Sequence, residues 1–155
     1  MMKDDMSITG RLTIEKYTAA GELVERVSTH NDIALTGRYL VSKLFNKDSA
    51  NVTRVTKMCL GTADTAFDEN GKTLAAKVFE TPVVSIDSSE VIDSSTGRKR
   101  VLLRITGQLL EADANFVLKE AGLFTGDDVM YNRVTFGAIT KTNQFKLTLI
   151  WEITF

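Results

Sequence analysis

The sequence contains one cysteine, one histidine and one proline, and each scarcity narrows what the chain can do. With Cys59 alone, no internal disulfide can form and a four-cysteine zinc site is excluded. We expect Cys59 to be a buried strand thiol. The single histidine, His30, is not paired with a nucleophile by any motif, so we expect a polar residue at a strand-to-helix junction and not a catalytic base.

Long apolar runs and charge of one sign are also missing. No stretch approaches the roughly 18 apolar residues of a membrane-spanning helix, and residues 1–5 lack the apolar core of a signal peptide, so we expect synthesis and folding in the cytoplasm. Basic and acidic residues number 19 and 20 and are interspersed. We therefore expect neither nucleic acid nor a membrane as partner, and we place the basic group at 98–100 in an exposed turn.

The chain is mainly β in its patterning. Its 155 residues and 43% hydrophobic content suit one domain with one core. Short strand-like runs separated by turn residues predict an antiparallel β-sandwich or barrel-like domain with one α-helix at about residues 32–46. We assign residues 1–7 to a flexible N-terminal segment and residues 8–155 to a single β-rich structural domain.

The last eleven residues carry the clearest strand signal. Alternation puts one set of apolar residues on one side, which predicts a strand with one buried face and Trp151 in the core. This set is Phe145, Leu147, Leu149, Trp151, Ile153 and Phe155.

Earlier segments are predicted from turn residues and spacing. Two hairpins are expected, one around Gly21 and one around the turn at 94–97. Asn31 or Asp32 is expected to cap the helix. Residues 52–60 and 83–92 are predicted strands, 61–71 a surface loop, 72–80 a short helix as one alternative, and 112–124 a turn leading into a strand. In the following strand Met130, Val134, Phe136 and Ala138 are expected to share a face.

No group of residues predicts catalysis, a cofactor or a metal. The glycines do not form a phosphate-binding loop, and the acidic loop at 64–71 lacks the spacing of an EF-hand. The carboxylates Glu111 with Asp113, and Asp127 with Asp128, are better explained by turns than by a glycosidase pair. Glu120 is expected either in a buried polar network or on an edge. Phe67 and Tyr131 are the aromatic residues to consider as exposed ligand platforms.

Three segments resemble a group of small structural proteins of tailed bacteriophages. They are 60–66 (LGTADTA), 120–124 (EAGLF), and the run from MYNRVTF at 130–136 through ITK at 139–141 to TLIWEITF at 148–155. The likeness covers about the last hundred residues, and Ala63 stands where the resembled pattern often has glycine. In this group the motifs specify a scaffold, and Gly122 is expected to permit a close turn or bulge.

The resemblance implies a non-enzymatic component of a phage virion, in the tail, collar or baseplate. Its partners would be other virion structural proteins and further copies of itself in a symmetric homo-oligomer, joined through sheet edges. The alternative is a capsid decoration protein, and behind it a receptor- or carbohydrate-binding module. A cell-wall hydrolase using Glu120 or Asp68 is the last alternative. The expected location is the virion, assembled in the host cytoplasm.

Overall fold

The computed structural model describes residues 8–45 and 53–155. Within those ranges the chain forms ten strands and one helix. They are β1 (Thr9–Thr18), β2 (Leu23–His30), β3 (Asp32–Ile33), α1 (Leu35–Lys43), β4 (Val55–Gly61), β5 (Lys77–Pro82), β6 (Ser85–Ile92), β7 (Lys99–Leu109), β8 (Val117–Thr125), β9 (Met130–Thr140) and β10 (Phe145–Thr154). The predicted flexible segment at 1–7 and the predicted strand start at Val52 lie outside the described residues.

The strands form two antiparallel sheets of five strands each. Sheet A has the order β2-β1-β10-β7-β6, and sheet B has the order β3-β9-β8-β4-β5. Each inner face is apolar because strand side chains alternate between the two sides of a sheet. The predicted mainly β, sandwich-like fold with one helix is confirmed.

The core lies between the sheets, and β10 runs through the middle of sheet A. Leu147, Leu149 and Trp151 are completely buried, and Ile153 nearly so, while the intervening residues are partly exposed. Burying each such side chain contributes about 1.5–3 kcal/mol. The place of Trp151 in the core is confirmed, and so is the one-sided terminal strand except at its last residue. Phe155 follows the end of β10 and is 42% exposed, so it does not share the buried face.

Both predicted hairpins are present. Gly21 has φ +87° in the turn between β1 and β2, and Gly97 has φ +69° in the turn between β6 and β7. Glycine adopts these left-handed values without steric penalty. The predicted turns before β8 and β9 are also found.

The helix begins later than predicted, at Leu35 instead of about residue 32. Asp32 and Ile33 form β3 and pair with Arg133 and Asn132 of β9. Neither Asn31 nor Asp32 is the N-cap, because that place belongs to Ala34, which makes no side-chain cap bond. The pairing of β3 with β9 outweighs the local capping preference of the polar residues.

Two further predictions are wrong, and a third is wrong in part. Residues 72–80 contain no helix, since β5 begins at Lys77 and extends sheet B beside β4. Ala138 is exposed while Ile139 is buried, because the β8–β9 ladder pairs Leu118 with Ile139 but Glu120 with Thr135, and this shift reverses the face. Gly122 was expected to permit a close turn or a bulge. It lies inside β8, between Cys59 and Arg133 on the neighbouring strands, so the turn is wrong, whereas the β8–β9 register does shift beside it, between Leu123 and Phe124.

Candidate functional site

The three motifs that carry the resemblance meet at one buried point in sheet B. Gly61 at the end of β4 pairs in register with Glu120 of β8, and Arg133 lies on the adjacent β9. Arg133 Nε donates a hydrogen bond of 2.7 Å to Glu120 Oε2. The side chains of Glu120 and Arg133 are 0% and 6% exposed, so they form a buried ion pair.

This ion pair also holds the loop between β4 and β5. Glu120 accepts hydrogen bonds from the backbone N–H groups of Ala75 (3.0 Å) and Ala76 (2.6 Å). Arg133 Nη1 donates to the Thr65 carbonyl at 2.9 Å. A Cβ on Gly61 would overlap Glu120 Oε1, so glycine leaves the space that the carboxylate occupies. The cluster thus anchors both ends of the loop to the sheet.

The cluster is built for positioning. The Glu120 carboxylate is fully buried and engaged by three donors, so it has no open side toward a substrate. Of the two expectations for Glu120, burial in a polar network is confirmed. The remaining guanidinium nitrogen, Arg133 Nη2, is buried without a partner in the described residues. A polar recess of about 280 Å³ lies beside Arg133, with Asp68 and Lys72 among its lining residues.

A second polar contact supports the same strands. Asn132 is fully buried, and its Oδ1 accepts a 2.9 Å hydrogen bond from Leu123 N, where the β8–β9 register shifts. A Cβ on Gly122 would lie 2.6 Å from the Asn132 carbonyl oxygen and 2.9 Å from the Phe124 ring. Gly122 therefore serves close packing inside the sheet.

Lys141 is a buried cation that the sequence reasoning missed. Its Nζ donates to the Glu111 carbonyl (3.0 Å), Asn115 Oδ1 (3.1 Å) and the Thr142 carbonyl (2.9 Å). Burial lowers the pKa of Lys141. This lysine ties the loop before β8 to the end of β9.

Arg133 and Asn132 were missed as well. The signal for them was two adjacent polar residues inside an apolar strand, since a polar side chain in such a setting needs a buried partner.

Cys59 and His30, the single cysteine and the single histidine, do not form a nucleophile–base pair. Cys59 is buried in β4, as predicted, and burial raises its pKa to about 11, which disfavours the reactive thiolate. His30 is exposed at the end of β2, close to the predicted strand-to-helix junction.

The first candidate carboxylate pair is divided between separate partners. Glu111 Oε1 lies 3.5 Å from Lys146 Nζ, whereas Asp113 Oδ2 accepts a hydrogen bond from Leu110 N at 2.9 Å. Glu111 therefore forms an ion pair with Lys146 of β10, whereas Asp113 stabilises the turn before β8.

The second carboxylate pair belongs to the turn between β8 and β9. Asp127 accepts a hydrogen bond from Thr125 Oγ1, which lowers the pKa of Asp127. Asp128 forms an ion pair with Lys57, which lowers the pKa of Asp128 too. The backbone bond from Asp128 N to the Thr125 carbonyl closes the turn at 3.1 Å, so the turn explanation for both residues is confirmed.

The basic group at 98–100 joins the turn after β6 to the start of β7. Arg98 and Lys99 are exposed, and Arg100 is half-buried. Lys99 Nζ lies 3.6 Å from Glu90, and Arg100 Nη1 lies 3.6 Å from Asp93. Glu90 in β6 and Asp93 just after it thus form ion pairs with two of the three basic side chains across the hairpin.

Groups of metal ligands and membrane-spanning helices are both absent from the described residues. In residues 8–45 and 53–155 no three potential ligand side chains are grouped to hold a metal, and no helix is long and apolar enough to cross a membrane.

Of the two aromatic candidates for a ligand platform, Tyr131 is buried and Phe67 is half-buried. The most exposed aromatic side chains are instead Tyr39 on α1 and Phe45 just after it.

The outer surface offers sheet edges and an apolar end. Strands β2 and β6 are the edges of sheet A. Around β6 four large apolar residues are exposed, namely Val84, Ile86, Ile92 and Val101. An apolar groove of about 340 Å³ opens beside them, between α1 and the inner face of sheet A. Exposed apolar surface next to a free edge is typical of an interaction site.

Comparisons with known proteins do not identify the chain. No protein-family model matches it, and neither a curated protein nor a solved structure matches it. Any functional proposal therefore depends on the residues and contacts described above.

Proposed function

We propose that this chain is a non-enzymatic structural component of a bacteriophage virion, located in the tail, collar or baseplate. It acts by binding neighbouring subunits, including copies of itself, in a symmetric assembly. The observation that carries the proposal is the free β6 edge with exposed Ile86 and Ile92 beside it. A strand edge supplies unpaired backbone groups, and the apolar side chains supply area that association can bury.

The motif residues support a scaffold role. Glu120, Arg133 and Gly61 anchor a loop, and Lys141 anchors another, so the residues behind the phage resemblance build and stiffen the domain. Stiff strands present an edge in one fixed geometry, which reduces the ordering cost of assembly.

A capsid decoration protein is the alternative within the same class. Such a protein has the same kind of compact β domain, but it binds coat subunits of the capsid and not subunits of the tail. The receptor- or carbohydrate-binding module loses support because Tyr131 is buried and packed in the core.

Location in the particle tests the proposal. Purified virions of the phage that encodes the chain would be labelled with antibody raised against it and imaged, with serum pre-absorbed on the isolated chain as control. Label at the tail, collar or baseplate is expected. Label spread over the head would replace the proposal by the decoration protein, and particles without the chain would refute both.

A further inference from the structure

The outer edge of β6 has its backbone groups free in an alternating pattern. Asp93 N donates to the Arg98 carbonyl at 2.8 Å, which fixes the odd-numbered residues of β6 as those bonded toward β7. The N–H and C=O groups of the even-numbered residues therefore point away from the sheet. In the described part of the chain, β6 pairs with β7 alone. The even-numbered residues are Ile86, Ser88, Glu90 and Ile92.

The same even-numbered residues point their side chains to the inner face of sheet A. Ile86 stands opposite Ile105, which lies in the core, and Ser88 stands opposite Leu103. Toward the end of β6, however, the described residues of sheet B leave this face partly exposed. Ile86 is 46% exposed and Ile92 72% exposed, although both are on the apolar side. A strand added at this edge would place its own side chains beside these exposed isoleucines and bury part of their surface.

The number of strands decides which edge suits a second copy. Sheet A has five antiparallel strands, so its two edges, β2 and β6, run in the same direction. Joining β6 of one copy to β2 of the next, head to tail, would pair the two strands in parallel. Joining β6 to β6 around a two-fold axis pairs them antiparallel, which is the more stable arrangement and the symmetry of most dimers.

One register of this two-fold contact is complementary. When Ser89 faces Ser89 of the second copy, Ile86 faces Ile92 and Ser88 faces Glu90, each twice by symmetry. Moving the axis to Ser88 puts Ile86 against Glu90. Moving it to Glu90 puts two carboxylates opposite each other, which is unfavourable.

We propose that the chain forms a two-fold dimer in which β6 pairs antiparallel with β6 of a second copy, centred on Ser89. The two A sheets then become one continuous sheet, with about eight hydrogen bonds between the copies. Ile92 of each copy covers Ile86 of the other, at the mouth of the apolar groove. The inference rests on the proposed function, because it names the contact from which the symmetric assembly is built.

Disulfide trapping tests the register. Across a non-hydrogen-bonded antiparallel pair the Cα atoms are about 4.5 Å apart, within disulfide range, so Ser89→Cys is expected to cross-link under mild oxidation. Asp87→Cys is the matched control, since Asp87 is also exposed on the same strand but lies far from Asp87 of the second copy in this register. The native Cys59 is buried and does not interfere. Equal cross-linking of both variants, or none of Ser89→Cys, overturns the register.

Solution mass tests the dimer itself. Light scattering of the isolated chain is expected to show a dimer that dissociates on dilution. Ile92→Lys is expected to weaken it by roughly 100-fold, since two lysines enter one interface. Val24→Lys on β2 is the control, because Val24 is 50% exposed on the opposite edge of the sheet. A monomer at every concentration, a ring of three or six copies, or dissociation by Val24→Lys overturns the inference.

These outcomes are separate from those of the location experiment. A monomeric chain found in the tail would overturn the β6 contact and leave the proposed function standing. A chain that forms the β6 dimer but is absent from particles would overturn the proposed function and leave the β6 contact standing. Circular dichroism of each variant shows whether the β fold is retained, and the exposed Ser89→Cys replacement tests the contact without altering the core.

Discussion

Removing the Glu120 charge is expected to destabilise the domain strongly. Glu120→Gln keeps the size of the side chain but removes the negative charge that faces buried Arg133. The new amide also presents an N–H₂ group where the carboxylate now accepts from Ala75, Ala76 and Arg133. At least one donor is then left facing another donor in a site closed to water.

The magnitude follows from the burial of the pair. Breaking a buried ion pair by removing one partner costs about 3–5 kcal/mol, against a total stability of about 5–15 kcal/mol for a domain. We therefore expect Glu120→Gln to lose about 3–5 kcal/mol, which lowers Tm by about 10 °C for a chain of this size. Arg133→Met leaves the carboxylate uncompensated and should cost a similar amount.

The double variant isolates the interaction. With Glu120→Gln and Arg133→Met together no charge remains at this site, so the combined loss should fall short of the sum by about 2–3 kcal/mol. Urea unfolding followed by the fluorescence of Trp151, the only tryptophan and fully buried, measures all three variants. Glu22→Gln in an exposed turn is the control and should stay within about 0.5 kcal/mol. Single losses below about 1 kcal/mol, or additive losses, would refute the reasoning.

Three further outcomes are expected. Gly122→Ala should cost about 1–3 kcal/mol in urea unfolding because its Cβ meets a backbone oxygen, whereas Gly137→Ala, with open space around it, should stay near neutral. Stability should fall by about 2 kcal/mol as pH rises from about 9 to about 11, because the Cys59 thiol ionises at lower pH in the unfolded chain than in the folded one, where its pKa is about 11. A Cys59→Ala variant with the same decline would contradict this. Lys141→Met leaves its carbonyl partners without a donor and should cost about 1–3 kcal/mol, with faster amide exchange at residues 111–115; unchanged exchange would argue against that role.

Elements set by neighbouring residues were predictable, and those set by distant pairing were not. The terminal strand and both hairpins belong to the first group because alternation and positive-φ glycines act over a few residues. The start of α1 belongs to the second, since Asp32 and Ile33 join β9, about a hundred residues further along the chain. The predicted buried face of Ala138 was wrong for a related reason, because the register shift that reverses this face arises from the pairing of β9 with β8.

The candidate sites depend even more on long-range contacts. Glu120 could be recognised as a buried or edge carboxylate, but its partners Arg133, Ala75 and Ala76 come from two other segments. The free β6 edge likewise has no local signature, because any strand can be central or peripheral until the order of strands is known.

By itself the sequence determined the class of fold, the one-sided final strand, the buried Cys59 and the turns, since side-chain periodicity and backbone preference are local properties. The tertiary structure alone decided which strands lie at the edges, that Ile86 and Ile92 of β6 are exposed, and where Gly61, Glu120 and Arg133 meet. Those features depend on register and strand order, which are set by the simultaneous pairing and burial of distant segments.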